Sequence, residues 1–233
     1  MRQFWKTMNI IYERCVLAVF VLILLIVIYS MYDMYYVFEH AGNNDLLKYK
    51  PTASGYDAAA SPITEDMVAW LTVDNTNIDY PIMQGDNNTK YLNTDPYGQY
   101  SLSGSIFLDS RNNSEFTDKY SILYGHHMEY GVMFGALDEF LNPAYLGTHT
   151  TGTLMIGRDA HKIYKIRVFA SMKASARNDK VFDPAQGGSI LKYIKNNSVV
   201  FNEERNDRIL AMSTCTEADS VTRVIVFAYI LDE

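Results

Sequence analysis

RILAMSTC at 208–215, TEADSVT at 216–222 and RVIVFAYIL at 223–231 are two apolar runs joined by one polar loop. Each run has the length and the branched, aromatic content of a strand. Paired antiparallel, the two runs bring their ends to about 4.8 Å. Cys215, last in the first run, then faces Arg223, first in the second, at one rim of a sheet. A guanidinium beside a thiol stabilises a thiolate, or an oxyanion developing on an acyl group. The chain has two cysteines, Cys15 and Cys215, so no disulfide framework is on offer.

Working upstream, short strands with turn punctuation continue back to Thr64. They are MVAWLTV (67–73), IDYPIM (78–83), SGSIFLD (103–109), YSILYG (120–125), TLMIGR (153–158) and HKIYKIRVFA (161–170). In the last, Tyr164, Ile166, Val168 and Ala170 alternate with Lys165, Arg167 and Phe169, the period of a strand. Two stretches break this rhythm. MFGALDEFL (133–141) places Met133, Phe134, Leu137 and Leu141 on one helical face, and a second helix is expected over about 188–197 around ILKYIKN. There is no internal repeat. The fold expected is mostly β with inserted helices, a barrel or sandwich.

The N-terminal region is of another kind. From Cys15 to Tyr32 no residue is charged, and about 18 helical residues match a bilayer's hydrocarbon core. Arg2, Lys6 and Arg14 precede it. Asp33, Glu39 and Asp45 follow, with no Lys or Arg before Lys48. By the positive-inside rule the N-terminus is cytoplasmic and the larger part extracytoplasmic. YSMYDMYYVF offers no small-x-small site, so an uncleaved single-pass anchor is expected rather than a signal peptide. The expected organisation is a cytoplasmic N-terminus at 1–14, a transmembrane anchor at 15–36, a stalk or linker at 37–62 and an extracytoplasmic domain at 63–233. Within the linker, PTASGYDAAASP (51–62) is small and Pro-flanked. The hydrophobic share of 48% is that of a globular chain. A net charge of −7 argues against a nucleic-acid partner.

Outside the cell Cys215 is an unpaired thiol, either buried and inert or a working nucleophile. A nucleophile needs an acid/base partner. His126 and His127 directly follow the run YSILYG. His149 in GTHTTG and His161 in a turn read as solvated loop residues, and the pair at 126–127 lacks further ligands for a metal.

Taken together these residues resemble a known family. STC with Arg eight residues later, and YGHHM about ninety residues upstream, is similar to the sortases, membrane-anchored cysteine transpeptidases of Gram-positive surfaces. IDYPIMQGDNNTKYL, SGSIFLDSRN, YGHHMEYGVMFGAL and ILAMSTC follow the class B pattern in order and spacing. The resemblance implies a closed β-barrel of about seven or eight strands, with a helix-bearing insertion before the strand that carries Cys215. It implies His126, Cys215 and Arg223 as the catalytic set, with His127 a neighbour. It also implies a sorting-signal groove involving Asn88, Leu92, Ser189, Tyr193, Ile194 and Ser213. Glu217 stands where the family often has Asp. No cofactor and no metal is implied.

The substrates expected from this are secreted proteins with a C-terminal sorting signal. The acceptor is an amine of the cell-wall precursor, or in an alternative reading a pilin Lys. Two other readings stand beside it: a plain cysteine peptidase using water, and a membrane-tethered, non-catalytic β-barrel that binds a partner.

Overall fold

The computed structural model describes residues 1–42, 45–52, 55–215 and 222–232, with backbone alone at 37–40 and 215. Glu217 and the side chain of Cys215 therefore lie outside the described residues. The chain divides into two compact units, Met1–Glu39 and His40–Glu233.

The first unit is helical. Helix α1 spans Arg2–Ala41, where neither Gly nor Pro interrupts the sequence until Gly42. It is the one helix, among the described residues, long and apolar enough to cross a membrane, and none of its apolar window is buried. The helix is longer than the expected span at 15–36, because its flanks also contain no breaker.

The second unit is built on a sheet whose strands run β1 (Met67–Val73), β2 (Asp79–Met83), β3 (Ile106–Leu108), β4 (Tyr120–His126), β5 (Thr151–Ile156), β6 (Lys162–Ser175), β7 (Val200–Phe201), β8 (Arg208–Cys215) and β9 (Thr222–Leu231). The order is β5-β1-β2-β3-β4-β8-β9-β6, and β5 pairs with β6 to close an eight-stranded barrel. β7 adds a two-residue rung outside, on β6. β2–β3 and β4–β8 are parallel, and the other pairs antiparallel.

Period two sorts the core into two layers. Leu123, Leu210, Met212, Val226 and Ala228 belong to a cluster that fills the barrel. Their alternates Ile122, Ile209, Ala211, Ile225 and Phe227 form a second cluster with Val181, Ile190 and Ile194. Those three come from the insertion between β6 and β8, which holds α3 (Asp179–Phe182), a 3₁₀ turn (Pro184–Gly188) and α4 (Ile190–Asn197). This cover explains Phe169, which alternates toward the outside of β6 and is nevertheless fully buried.

The expected helix at 133–141 is a 3₁₀ helix, Phe134–Leu141, followed by the short α2 (Pro143–Thr148). At three residues per turn the buried stripe becomes Phe134, Leu137 and Phe140, and Leu141 leaves it. Glycine is required at the second residue of this 3₁₀ helix: a Cβ on Gly135 would lie 1.9 Å from the Met128 carbonyl oxygen. The second expected helix starts at Ile190, two residues later than anticipated, since Pro184–Gly188 forms its own 3₁₀ turn.

The described part of the lead-in at 40–63 is tied to the barrel. Ala41, Leu46 and Ile63 are buried in the main core. Lys50 Nζ donates to both oxygens of Asp79, at 2.9 and 3.0 Å, and to Thr72 Oγ1. Tyr56 Oη donates to the Arg158 carbonyl, and Arg158 Nη2 to that of Ala58.

Candidate active site

β4 and β8 run parallel, so their C-terminal ends lie at the same edge of the barrel. Their ladder pairs Tyr120 with Ile209 and continues without a break to His126 with Cys215. β9 is antiparallel to β8 and begins at that same edge. Its register runs as far as Ser213 with Ile225; Cys215 stands two residues beyond Ser213 on β8, and Arg223 two residues before Ile225 on β9. The backbone thus gathers the three residues at one rim, by a parallel pairing that the apolar runs do not announce.

His126 is held from a third direction. Its Nε2 lies 2.7 Å from the carbonyl oxygen of Leu92, at the end of the 3₁₀ turn Lys90–Leu92. A carbonyl can only accept, so Nε2 carries the proton there and Nδ1 is the nitrogen left for exchange. Two glycines of the quoted motifs explain this seat. Gly104 has φ +57°, and a Cβ on it would come within 2.5 Å of the Leu92 oxygen. Gly125 takes the ring of Phe134 where a Cβ would sit 2.8 Å away, which lets the 3₁₀ helix close down beside His126.

A cleft of about 270 Å³ opens next to these ends. Asn88, Leu92, Ser213 and Arg223 line it, together with Phe107, Tyr124, Ala176, Phe182 and Thr214. Asn88 is oriented by its Oδ1, which accepts from the Ser110 amide at 2.7 Å. Ser213 is fully buried at the floor, while Arg223 is half-buried. The aromatic wall is continuous: Phe107 and Tyr124 rings are 5.4 Å apart, and Tyr124 stacks on Phe182 at 6.3 Å.

Ser189, Tyr193 and Ile194 are not brought into this cleft. Ser189 and Tyr193 line a separate hollow with Lys192 and Asn196, and the Tyr193 hydroxyl accepts from Asn178 Nδ2. Ile194 is fully buried against the outside of the barrel. The sequence reading in turn lacked Tyr124, Phe107 and Phe182. Tyr124 was findable, since it lies two residues before His126 and so on the same face of β4. Nothing in the insertion's pattern marks Phe182.

Three other histidines, His127, His149 and His161, are engaged elsewhere. His127 Nε2 donates to Asp138 Oδ2 at 2.8 Å. The His149 ring stacks on Tyr145 at 3.8 Å. His161 bridges Glu115 and Asp159, each at 3.0 Å. His161 is exposed in a loop, as expected, whereas His149 is half-buried at the end of α2. Among the described residues no three His, Cys, Asp or Glu side chains gather as a metal site.

Comparison with known proteins agrees with this geometry. Residues 71–231 match the family model of the Sortase domain. The chain is 35% identical to Sortase B of Listeria monocytogenes over 162 residues, which cover 67% of this chain and 66% of that protein. It is 32% identical to Sortase B of Staphylococcus aureus, covering 72% of each. Among solved structures, a Streptococcus pyogenes class B sortase involved in pilus biogenesis superposes with a TM-score of 0.66 at 39% identity, over 72% of this chain and 94% of that one. A Staphylococcus aureus sortase B–substrate complex gives 0.65 at 30% identity, over 73% and 82%. A closed barrel with His126, Cys215 and Arg223 positions at one rim, and a family match over residues 71–231, place the chain in the sortase family of cysteine transpeptidases, among its class B members.

Proposed function

We propose that this chain cleaves a C-terminal sorting motif of secreted proteins and transfers the acyl part to an amine of the cell-wall precursor. The observation that carries the reading is the in-register pairing of His126 with Cys215 beside the start of β9. In the first step the Cys215 sulfur attacks the scissile carbonyl, the C–N bond breaks, and a thioester forms. Arg223 neutralises the oxyanion, and His126 gives its proton to the departing amine. In the second step the acceptor amine attacks the thioester, His126 takes a proton, and the thiolate leaves. Asn88, Leu92 and Ser213 form the donor groove, with Tyr124 and Phe182 as its aromatic side.

Helix α1 is the single-pass anchor through residues 15–36, with the N-terminus cytoplasmic and the catalytic domain extracytoplasmic. Tethering enzyme and emerging substrate to one surface raises their effective concentration. The test is a panel of fluorogenic sorting peptides with and without amine acceptors, followed by mass spectrometry of the intact chain. A thioester adduct on Cys215, discharged faster by amine, is expected. Turnover unaffected by Cys215→Ala refutes the reading.

A second reading keeps the chemistry and makes a pilin Lys the acceptor. It is favoured by the 39% identity to the sortase involved in pilus biogenesis. Mass spectrometry of the product linkage separates the two: a wall-precursor amine in one case, a Lys isopeptide bond in the other.

A further inference from the structure

We propose that Arg111 is a positioning residue for the donor cleft, holding the inserted segment's Phe182 against Tyr124 through a buried carboxylate. The inference deepens the transpeptidase reading and rests on it.

Helix α3 is a single turn of four residues, too short to stand alone. Its last two carbonyls are both held by side chains from outside the insertion. The Tyr120 hydroxyl donates to the Val181 carbonyl at 2.7 Å, and Arg111 Nη2 donates to the Phe182 carbonyl at 2.7 Å. Arg111 is itself fixed. Its Nε and Nη2 meet the two oxygens of Asp109 at 2.9 and 2.8 Å, a two-point fork. Asp109 is fully buried in the barrel-side loop after β3. The same carboxylate accepts from the Tyr124 hydroxyl at 3.0 Å.

One buried group therefore governs both faces of the aromatic wall. It holds the Tyr124 ring directly, and it holds the Phe182 backbone by way of Arg111. The two rings stack with planes 25° apart, and both line the cleft. Arg111 itself does not line it. Its effect is to set where the insertion's end stands, and so the width available to the side chains of an extended donor peptide. A Lys offers one charged point in place of the fork, so it cannot serve Asp109 and the Phe182 carbonyl with the same geometry.

The test uses the full-length chain in detergent with Arg111→Met, Arg111→Lys, Phe182→Ala and the double variant Arg111→Met/Phe182→Ala. The donor is the best-cleaved peptide of the fluorogenic panel, and the acceptor is hydroxylamine. Arg111→Met should raise the donor KM roughly tenfold, the scale of one lost charge-assisted hydrogen bond. Its kcat and hydroxylamine KM should stay within about twofold, because the reacting groups are untouched. Arg111→Lys should recover only part of the loss. In the Phe182→Ala background Arg111→Met should add nothing further, since both act on one wall. Amide exchange across 179–188 should quicken in Arg111→Met and Arg111→Lys, a readout independent of turnover. An unchanged donor KM, full rescue by Lys, full additivity with Phe182→Ala or unchanged exchange overturns the proposal. If Arg111→Met does not fold, Arg111→Lys decides by the same KM and exchange measurements. Failure of the unmodified chain to turn over any peptide refutes the transpeptidase reading instead.

Discussion

Gly104 packs its α-carbon against the carbonyl of Leu92 so closely that a β-carbon would come within 2.5 Å of that oxygen, which is the one facing His126 Nε2 at 2.7 Å. The SGS motif and the YGHH motif are thereby one device: the first fixes an acceptor, and the second is oriented by it.

Gly104→Ala tests the device. Its φ of +57° strains any side chain, and the new methyl displaces the Leu92 carbonyl. Transfer should fall by up to ~10²-fold, the order expected for a misplaced catalytic group. Labelling of Cys215 by a small thiol reagent should remain. Steady-state kinetics with normal rates would refute the link between Gly104 and His126.

The adjacent histidines should separate cleanly. His126→Ala, Cys215→Ala and Arg223→Ala should each abolish transfer, because each removes a distinct part of the acyl chemistry. His127→Ala should retain it, since His127 is turned to Asp138. Single-turnover assays of thioester formation decide this, and full activity in His126→Ala with loss in His127→Ala would reverse the assignment.

Ile194 and Tyr193 distinguish packing from recognition. Ile194→Ala should cost about 2–5 kcal/mol of stability, since the side chain is fully buried between α4 and the barrel. Tyr193→Phe should leave the donor KM near its original value, because Tyr193 lines a hollow apart from the cleft. Denaturant midpoints and peptide kinetics measure the two. A tenfold rise in donor KM for Tyr193→Phe would restore it to the groove.

Two ionisable groups give pH dependences of opposite sign. His161 has its pKa raised, first by the hydrogen bond to Glu115 and then by that to Asp159. Its bridge is complete below the ordinary imidazole value of about 6.5 and is lost as pH rises through the raised value. NMR titration should give a midpoint above about 6.5, and Glu115→Gln should lower it.

Asp109 behaves conversely. Burial pushes its carboxyl up, but hydrogen bonds from Arg111 and Tyr124 outweigh that and hold it below the usual range. Its stabilising contribution is present above the ordinary value of about 3.9 and is lost as pH falls through the lowered one. Replacing Arg111 with Met should move the acid unfolding midpoint of the barrel upward. An unmoved midpoint would show that the pair contributes nothing to acid stability.

The strands were legible because burial on one face leaves a period of two in the residues themselves, as in Tyr164 to Val168, before the bulge between Val168 and Ala170 interrupts it. Cys215 and Arg223 were legible because a single loop joins their strands. The parallel pairing of β4 with β8 was not, since neighbours distant in sequence leave no local mark. Nor was the 3₁₀ winding of Phe134–Leu141, since its apolar residues fit an α-helical face as well. Phe182 was hidden for a related reason: its place in the cleft is set by Arg111, whose partner is 71 positions away.

The β4–β8 ladder also bears on how this enzyme comes into being. Its register partners at the rim, His126 and Cys215, are 89 residues apart (215 − 126). The β4–β8 pairing is therefore a non-local contact, of the kind that slows folding. A chain made only as far as α4 holds the His126 imidazole without the Cys215 sulfur. The pairing that sets His126 beside Cys215 is thus complete only once β8 has been made.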